Sequence, residues 1–128
     1  MGFNDSGLRI DVREFERGFI LDLSGDLTKT SEGAIYGLRK WEDGLDGGKK
    51  YVVLNFTNVP YINSAGIAIL IRLSRTGLKA DYRTYAYGLT NHYHKLFRMV
   101  GLTDSILIYP DEYAVLQRIE DLREEAYP

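Results

Sequence analysis

After a short polar lead, Leu8-Arg9-Ile10-Asp11-Val12-Arg13-Glu14-Phe15 alternates between apolar and polar residues as far as Arg13. That two-residue period predicts a strand with one face buried. Glu16-Arg17-Gly18 then turns the chain into Phe19-Ile20-Leu21-Asp22-Leu23, so the first two strands are predicted to pair as a hairpin. Beyond them the period changes. Ala34, Ile35, Leu38, Trp41 and Leu45 approximate helical spacing behind a Ser31 cap, and Asp46-Gly47-Gly48 ends the stretch. Tyr51 to Phe56 is a short, strongly apolar run of the kind expected for a central strand covered on both faces.

A second helix is predicted from Ser64 to about Arg75, closed by Thr76-Gly77, followed by a strand from Asp81 to Tyr87 that Gly88 breaks. A third runs from about Asn91 to Val100, with Gly101 where a helix C-terminal glycine belongs. Ser105 to Tyr109 reads as a last strand. Pro110-Asp111 opens a helix expected to carry Tyr113, Leu116, Ile119 and Leu122 toward the core, and Glu124 to Pro128 reads as a frayed end. The order β-β-α-β-α-β-α-β-α predicts a single α/β domain over residues 1–128, with its core at about 8–122. The expected sheet is mixed, of four to five strands, with interspersed flanking helices. Val53, Leu54, Ile67, Leu70, Leu107 and Leu116 occupy apolar-periodic positions and are expected to be buried.

Composition narrows the function. With 128 residues, 45% of them hydrophobic and 27% charged, the chain has the means to fold alone and lies outside the disordered classes. It has no cysteine, which removes thiolate nucleophiles, disulfides and zinc-thiolate sites and leaves no trace of a redox compartment. No apolar run approaches the ~20 residues of a membrane span, and the first residues lack the basic start and apolar stretch of a signal peptide, so a cytoplasmic protein is expected. Met1-Gly2-Phe3-Asn4-Asp5-Ser6 does satisfy the permissive myristoylation pattern. The net charge is −2, from 16 basic and 18 acidic residues, so the electrostatic drive toward nucleic acid is missing. Tyr82, Tyr85 and Tyr87 read as strand aromatics rather than a base-stacking platform.

Candidate catalytic chemistry is scarce. His92 and His94 are two apart in a predicted helix and point to different faces, whereas a helical metal pair needs a separation of three or four. Gly44 to Lys50 lacks the spacing of a phosphate loop and reads as a surface turn. Ser64 lacks the Gly-x-Ser-x-Gly setting of a hydrolase nucleophile. Asp22 and Asp26 flank a strand end, where paired acids are usually solvated. No enzyme, metal or cofactor is expected.

The informative segment is Asn63-Ser64-Ala65-Gly66, which joins the Tyr51 run to the apolar run Ile67 to Ile71. A strand, a polar turn and a helix start present N–H groups and positive dipole to an anion, so a phosphate on Ser64 would be electrostatically favoured. Either Asn63 or Ser64 also suits the simpler task of capping the helix. The first turns of that helix are apolar nearly all round. One face must pack on the sheet; the other, with Ile69 and Leu73, is either covered by a neighbouring helix or exposed to a partner.

Val52 to Leu70, with its Val59-Pro60-Tyr61-Ile62-Asn63-Ser64-Ala65-Gly66 centre, resembles the signature of the STAS domain family, which includes bacterial anti-sigma factor antagonists. Leu23-Ser24-Gly25-Asp26-Leu27 is similar to the family's early strand-to-loop motif, and Leu96 to Leu102 to its late helix-turn motif. The resemblance implies a non-enzymatic domain that binds an anti-sigma factor serine kinase and so releases a sigma factor. It further implies phosphorylation at Ser64, reversed by a phosphatase, and a partner surface drawn from Asp26, Thr28, Asn63, Ser64, Ala65, Gly66, Ile69 and Leu73. Three departures stand out: Asn63 where the family usually has aspartate, Ala65 in place of a second hydroxyl residue, and Thr28 near a position often acidic. The alternative is a STAS scaffold or sensor that binds protein or small ligand without phosphorylation.

Overall fold

Strands β1 (Arg9–Phe15) and β2 (Gly18–Ser24) form the expected antiparallel hairpin, and three further strands, β3 (Tyr51–Asn58), β4 (Arg83–Tyr87) and β5 (Ile106–Tyr109), lie parallel to β2. The computed structural model describes residues 7–125, and in it the five strands stand side by side in their chain order. Four helices connect or follow them: α1 (Glu32–Tyr36), α2 (Ser64–Ala80), α3 (Asn91–Met99) and α4 (Glu112–Glu125). Parallel crossovers are right-handed, so three successive crossovers stepping in one direction put α1, α2 and α3 on the same face of the sheet. There Ile35, Leu70 and Phe97 pack with Leu21, Leu54 and Ile106 in the larger core. On the other face α4 lies by itself, setting Val115 and Ile119 on Ile20, Val53 and Tyr85.

β3 is covered on both faces, as its unbroken apolar run implies: Tyr51, Val52, Val53 and Leu54 are all buried. α2 runs five residues past Arg75, through Gly77, and ends where Asp81 takes the left-handed conformation at φ 67°. Gly77 is therefore a packing residue and not a stop. A Cβ there would lie 2.5 Å from a ring carbon of Tyr82, whose hydroxyl donates to the Leu73 carbonyl at 2.7 Å. Glycine lets the ring fold back onto the helix.

Four expectations change. β1 is an edge strand with charged residues outward, and its supposed inward Val12 is 50% exposed. The helix predicted from Ser31 to Leu45 is only five residues long; the chain then passes through an extended Lys40 into short turns at Trp41–Asp43 and Asp46–Gly48. Leu107, on the opposite edge strand β5, is 47% exposed. In α4, Tyr113 faces solvent and Val115 takes the core position, with Ile119 buried and Leu116 and Leu122 only partly so. α4 itself extends through Glu125, and the myristoylation-like Met1 to Ser6 lies outside the described residues.

Candidate functional site

The site is built at the C-terminal ends of the parallel strands, where the loops leaving β2 and β3 meet. Leu27 joins them. Its N–H donates to the Tyr61 carbonyl at 2.9 Å, and its own carbonyl accepts the Asn63 N–H at 3.2 Å, forming a short parallel bridge with Ile62. The Leu27 side chain is fully buried, so the bridge is anchored in the core. Upstream, the Gly25 N–H donates to the Asn58 carbonyl at 3.0 Å. Downstream, the buried Ser31 hydroxyl donates to the Asp26 carbonyl at 3.1 Å and accepts the Thr28 N–H at 2.9 Å. Backbone groups that a loop would otherwise leave unpaired are thus used to fix its shape.

On this platform stands the first turn of α2. Asn63 is its cap: extended in backbone, it accepts the Gly66 N–H on its side-chain oxygen at 2.9 Å. Ser64 is the first helical residue and is exposed, so its hydroxyl is not engaged in capping. The first turn carries no acidic side chain. Gly66 is buried, and a Cβ on it would lie 2.2 Å from the Leu27 carbonyl oxygen. Only glycine lets the helix start this close to the neighbouring loop.

The structure brings together most of the residues singled out in the sequence. Asp26 is exposed and Thr28 half-buried on one loop, with Asn63, Ser64 and Ala65 beside them on the other. Ile69 and Leu73 do not belong with them. At 2% and 1% exposure they are core residues, because the sheet and the segment around Trp41 cover the helix on both apolar sides. Beyond Ser64, the exposed residues of α2 are instead Ala68, Arg72, Arg75, Leu78 and Lys79, with Ile71 half-exposed.

Sequence reasoning missed Tyr93, a buried residue of α3 whose hydroxyl accepts the Ile62 N–H at 3.0 Å. The only signal for it was its four-residue spacing from Phe97, also buried. A polar network at the same end of the sheet, on the α4 face, was equally invisible. Arg13 grips Asp22 at 2.6 Å and Glu112 at 2.7 Å; Tyr87 donates to Glu112 at 2.7 Å, and Asn55 to Asp22 at 2.8 Å. Arg13 holds both carboxyls below their ordinary range, while burial, aided by Glu112, pushes the Tyr87 hydroxyl up to about 12. Asp22 is therefore a structural anion, held by Arg13 and Asn55.

Among the described residues no group of three His, Cys, Asp or Glu side chains is placed to hold a metal ion, and no helix is long and apolar enough to cross a membrane. Tyr82, Tyr85 and Tyr87 are buried and offer no stacking surface.

Comparison with solved structures finds the same fold repeatedly. An anti-sigma factor antagonist from Mycobacterium paratuberculosis superposes with a TM-score of 0.70 at 15% identity, over 91% of this chain and 97% of that one. The Bacillus cell fate determinant SpoIIAA in its phosphorylated form gives 0.65 at 18% identity, over 87% and 99%. Murine Slc26a9, an anion transporter, gives 0.69 at 13% identity over 85% of this chain but only 18% of the transporter. At these identities the similarity is one of fold. Comparison with curated proteins finds no match. Residues 9–115 match the STAS domain, which takes in all five strands, the Leu27 bridge and the Ser64 turn, and the chain belongs to the STAS domain family.

Proposed function

We propose that this protein is an anti-sigma factor antagonist, which binds an anti-sigma factor serine kinase through the paired loops around Ser64 and so frees a sigma factor. Phosphorylation of Ser64 breaks that complex, and a phosphatase restores it. The observation that carries the reading is the division of labour at the start of α2: Asn63 caps the helix, and Ser64 stands exposed beside it. Its hydroxyl is accessible to a kinase, and a phosphate there would sit on the positive end of a helix of 17 residues. The added charge, about −1.5 to −2, is accommodated by the free protein and opposed at a partner surface that must desolvate it. The shared fold with an anti-sigma factor antagonist and with phosphorylated SpoIIAA supports the same role. The reading implies a cytoplasmic protein.

The test is incubation with the serine-kinase anti-sigma factor of the same genome and ATP, followed by mass spectrometry of the peptide containing Ser64. Ser64→Ala should keep the kinase complex and take no phosphate, and Ser64→Asp should weaken the complex. Phosphate found only elsewhere, or none despite a tight complex, would assign the chain to the unphosphorylated scaffold or sensor class.

A further inference from the structure

The outer side of α2 carries a stripe of cations. Ser64, Ala68, Arg72, Arg75 and Lys79 follow one another at steps of three and four residues, so they lie along one exposed line of the helix. α3, the next crossover on the same face of the sheet, adds the exposed Lys95 and Arg98. Neither helix contains an acidic residue. Elsewhere Arg9, Arg13, Arg39, Lys49, Lys50 and Arg123 are each held in an ion pair, whereas among the described residues these helical cations have none. The bordering acids do not cancel them: Glu42 shares a hollow with Lys79 but another with Lys40, Asp81 is taken by Lys50, and Asp104 lies in the turn after α3. The chain as a whole has a net charge of −2, and the sequence of α4 holds five acidic residues against two arginines. Positive charge is thus gathered on the face opposite α4.

Exposed apolar side chains accompany the charge. Both helices end at the same end of the sheet, because each runs back to begin the next parallel strand. Leu78 is exposed at the end of α2, and Met99 and Val100 at the end of α3. Met99, at 82%, is the most exposed large apolar side chain among the described residues. Leu78 lies one turn beyond Ser74, whose hydroxyl is 2.6 Å from that of Ser105, and so stands on the side of α2 toward the segment that leaves α3. The phosphates of a nucleic acid or the carboxylates of a protein would use the cations and leave Met99 in water. An anionic bilayer uses both, holding the cations at its headgroups and taking the apolar tips just below them.

We propose that the outer side of α2 and α3 is a docking surface for a membrane rich in anionic lipid, with Arg72, Arg75, Lys79, Lys95 and Arg98 at the headgroups and Met99, Leu78 and Val100 entering between them. The attachment is peripheral, since no helix among the described residues is long and apolar enough to cross a bilayer. It does not rest on the kinase reading of Ser64.

The experiment is co-sedimentation of the full chain with vesicles of phosphatidylglycerol and phosphatidylcholine in equal parts and, separately, of phosphatidylcholine alone. The chain should sediment with the first and not with the second. Raising salt from about 0.1 M to about 1 M contracts the screening length from about 10 Å to about 3 Å and should release it. Arg75→Gln combined with Lys79→Gln removes two exposed charges that hold no ion pair, so the melt should stand while binding falls about tenfold or more. Met99→Gln keeps the charge and should weaken binding severalfold. No binding to the anionic vesicles at about 0.1 M salt, equal binding to both kinds, or indifference to either variant would overturn the proposal. So would loss of the kinase complex in the doubly substituted chain without any vesicle binding, which would give the stripe to an acidic protein.

Discussion

Gly66 rests directly on the carbonyl of Leu27, with the 2.2 Å that a Cβ would leave between them ruling out any larger residue in this arrangement. Gly66→Ala must push the first turn of α2 off the neighbouring loop. Overpacking of this kind costs about 1–3 kcal/mol, which outweighs the up to about 1 kcal/mol by which alanine favours a helix. The melting temperature should fall by several degrees, and amide exchange at Leu27 and Asn63 should quicken. An unchanged melt would show that the two loops slide apart without penalty.

Asn63 supplies the cap through its side-chain oxygen. Asn63→Ala should lower stability by about 1 kcal/mol in urea denaturation. Asn63→Asp keeps the acceptor and adds a negative charge at the positive end of the helix, so it should match or exceed the native protein by a few tenths of a kcal/mol. A destabilised aspartate variant would mean that the loops around Ser64 already carry an unfavourable negative field.

Ile69 and Ala68 are adjacent in sequence and opposite in consequence. Ile69→Ala empties a core position and should cost about 2–4 kcal/mol. Ala68→Asp alters an exposed position of α2, should leave the melt nearly unchanged, and should weaken the kinase complex, as calorimetry of both variants would show. Equal destabilisation by the two would place Ala68 in the core as well.

The Arg13 network makes a pH prediction. Asp22 and Glu112 are held below their ordinary range by Arg13. A carboxyl whose folded pKa is depressed contributes stability that is complete above its unfolded pKa and disappears as pH falls through the folded one. The native protein should therefore lose stability from about pH 4 downward. Glu112→Gln should show a shallower decline over the same interval. Parallel curves for the two would remove the network from acid unfolding.

The element order was readable because each strand and helix carries its own period, with β3 the clearest case: an apolar run too short for a helix and bounded by turns. Ile69 and Leu73 show where periodicity stops. A helix apolar nearly all round has two candidate inner faces, and which one is free depends on what the Trp41 segment does a long way off in the chain. That segment was misread for a related reason. Ala34, Ile35, Leu38, Trp41 and Leu45 fit a helix, but a folded strip that dips repeatedly into the core produces the same spacing. The Asn63-Ser64 turn was legible as a motif. The Leu27 bridge and the Tyr93 hydroxyl that shape it were not, since each joins segments more than thirty residues apart.

Because the strands stand in the sheet in the order in which they are made, none must be threaded between two already paired. A ribosome can lay the sheet down from one edge, each strand docking on the last as its connecting helix covers the same side. The far side has no such escort. Ile20, Tyr51, Val53 and Tyr85 wait for α4, which follows all five strands in the chain, and until it docks they form an adhesive face on an otherwise assembled sheet. Chains released before Glu112 should be recovered as aggregates or bound to chaperones, and docking of α4 is the step that renders the newborn protein inert toward its neighbours.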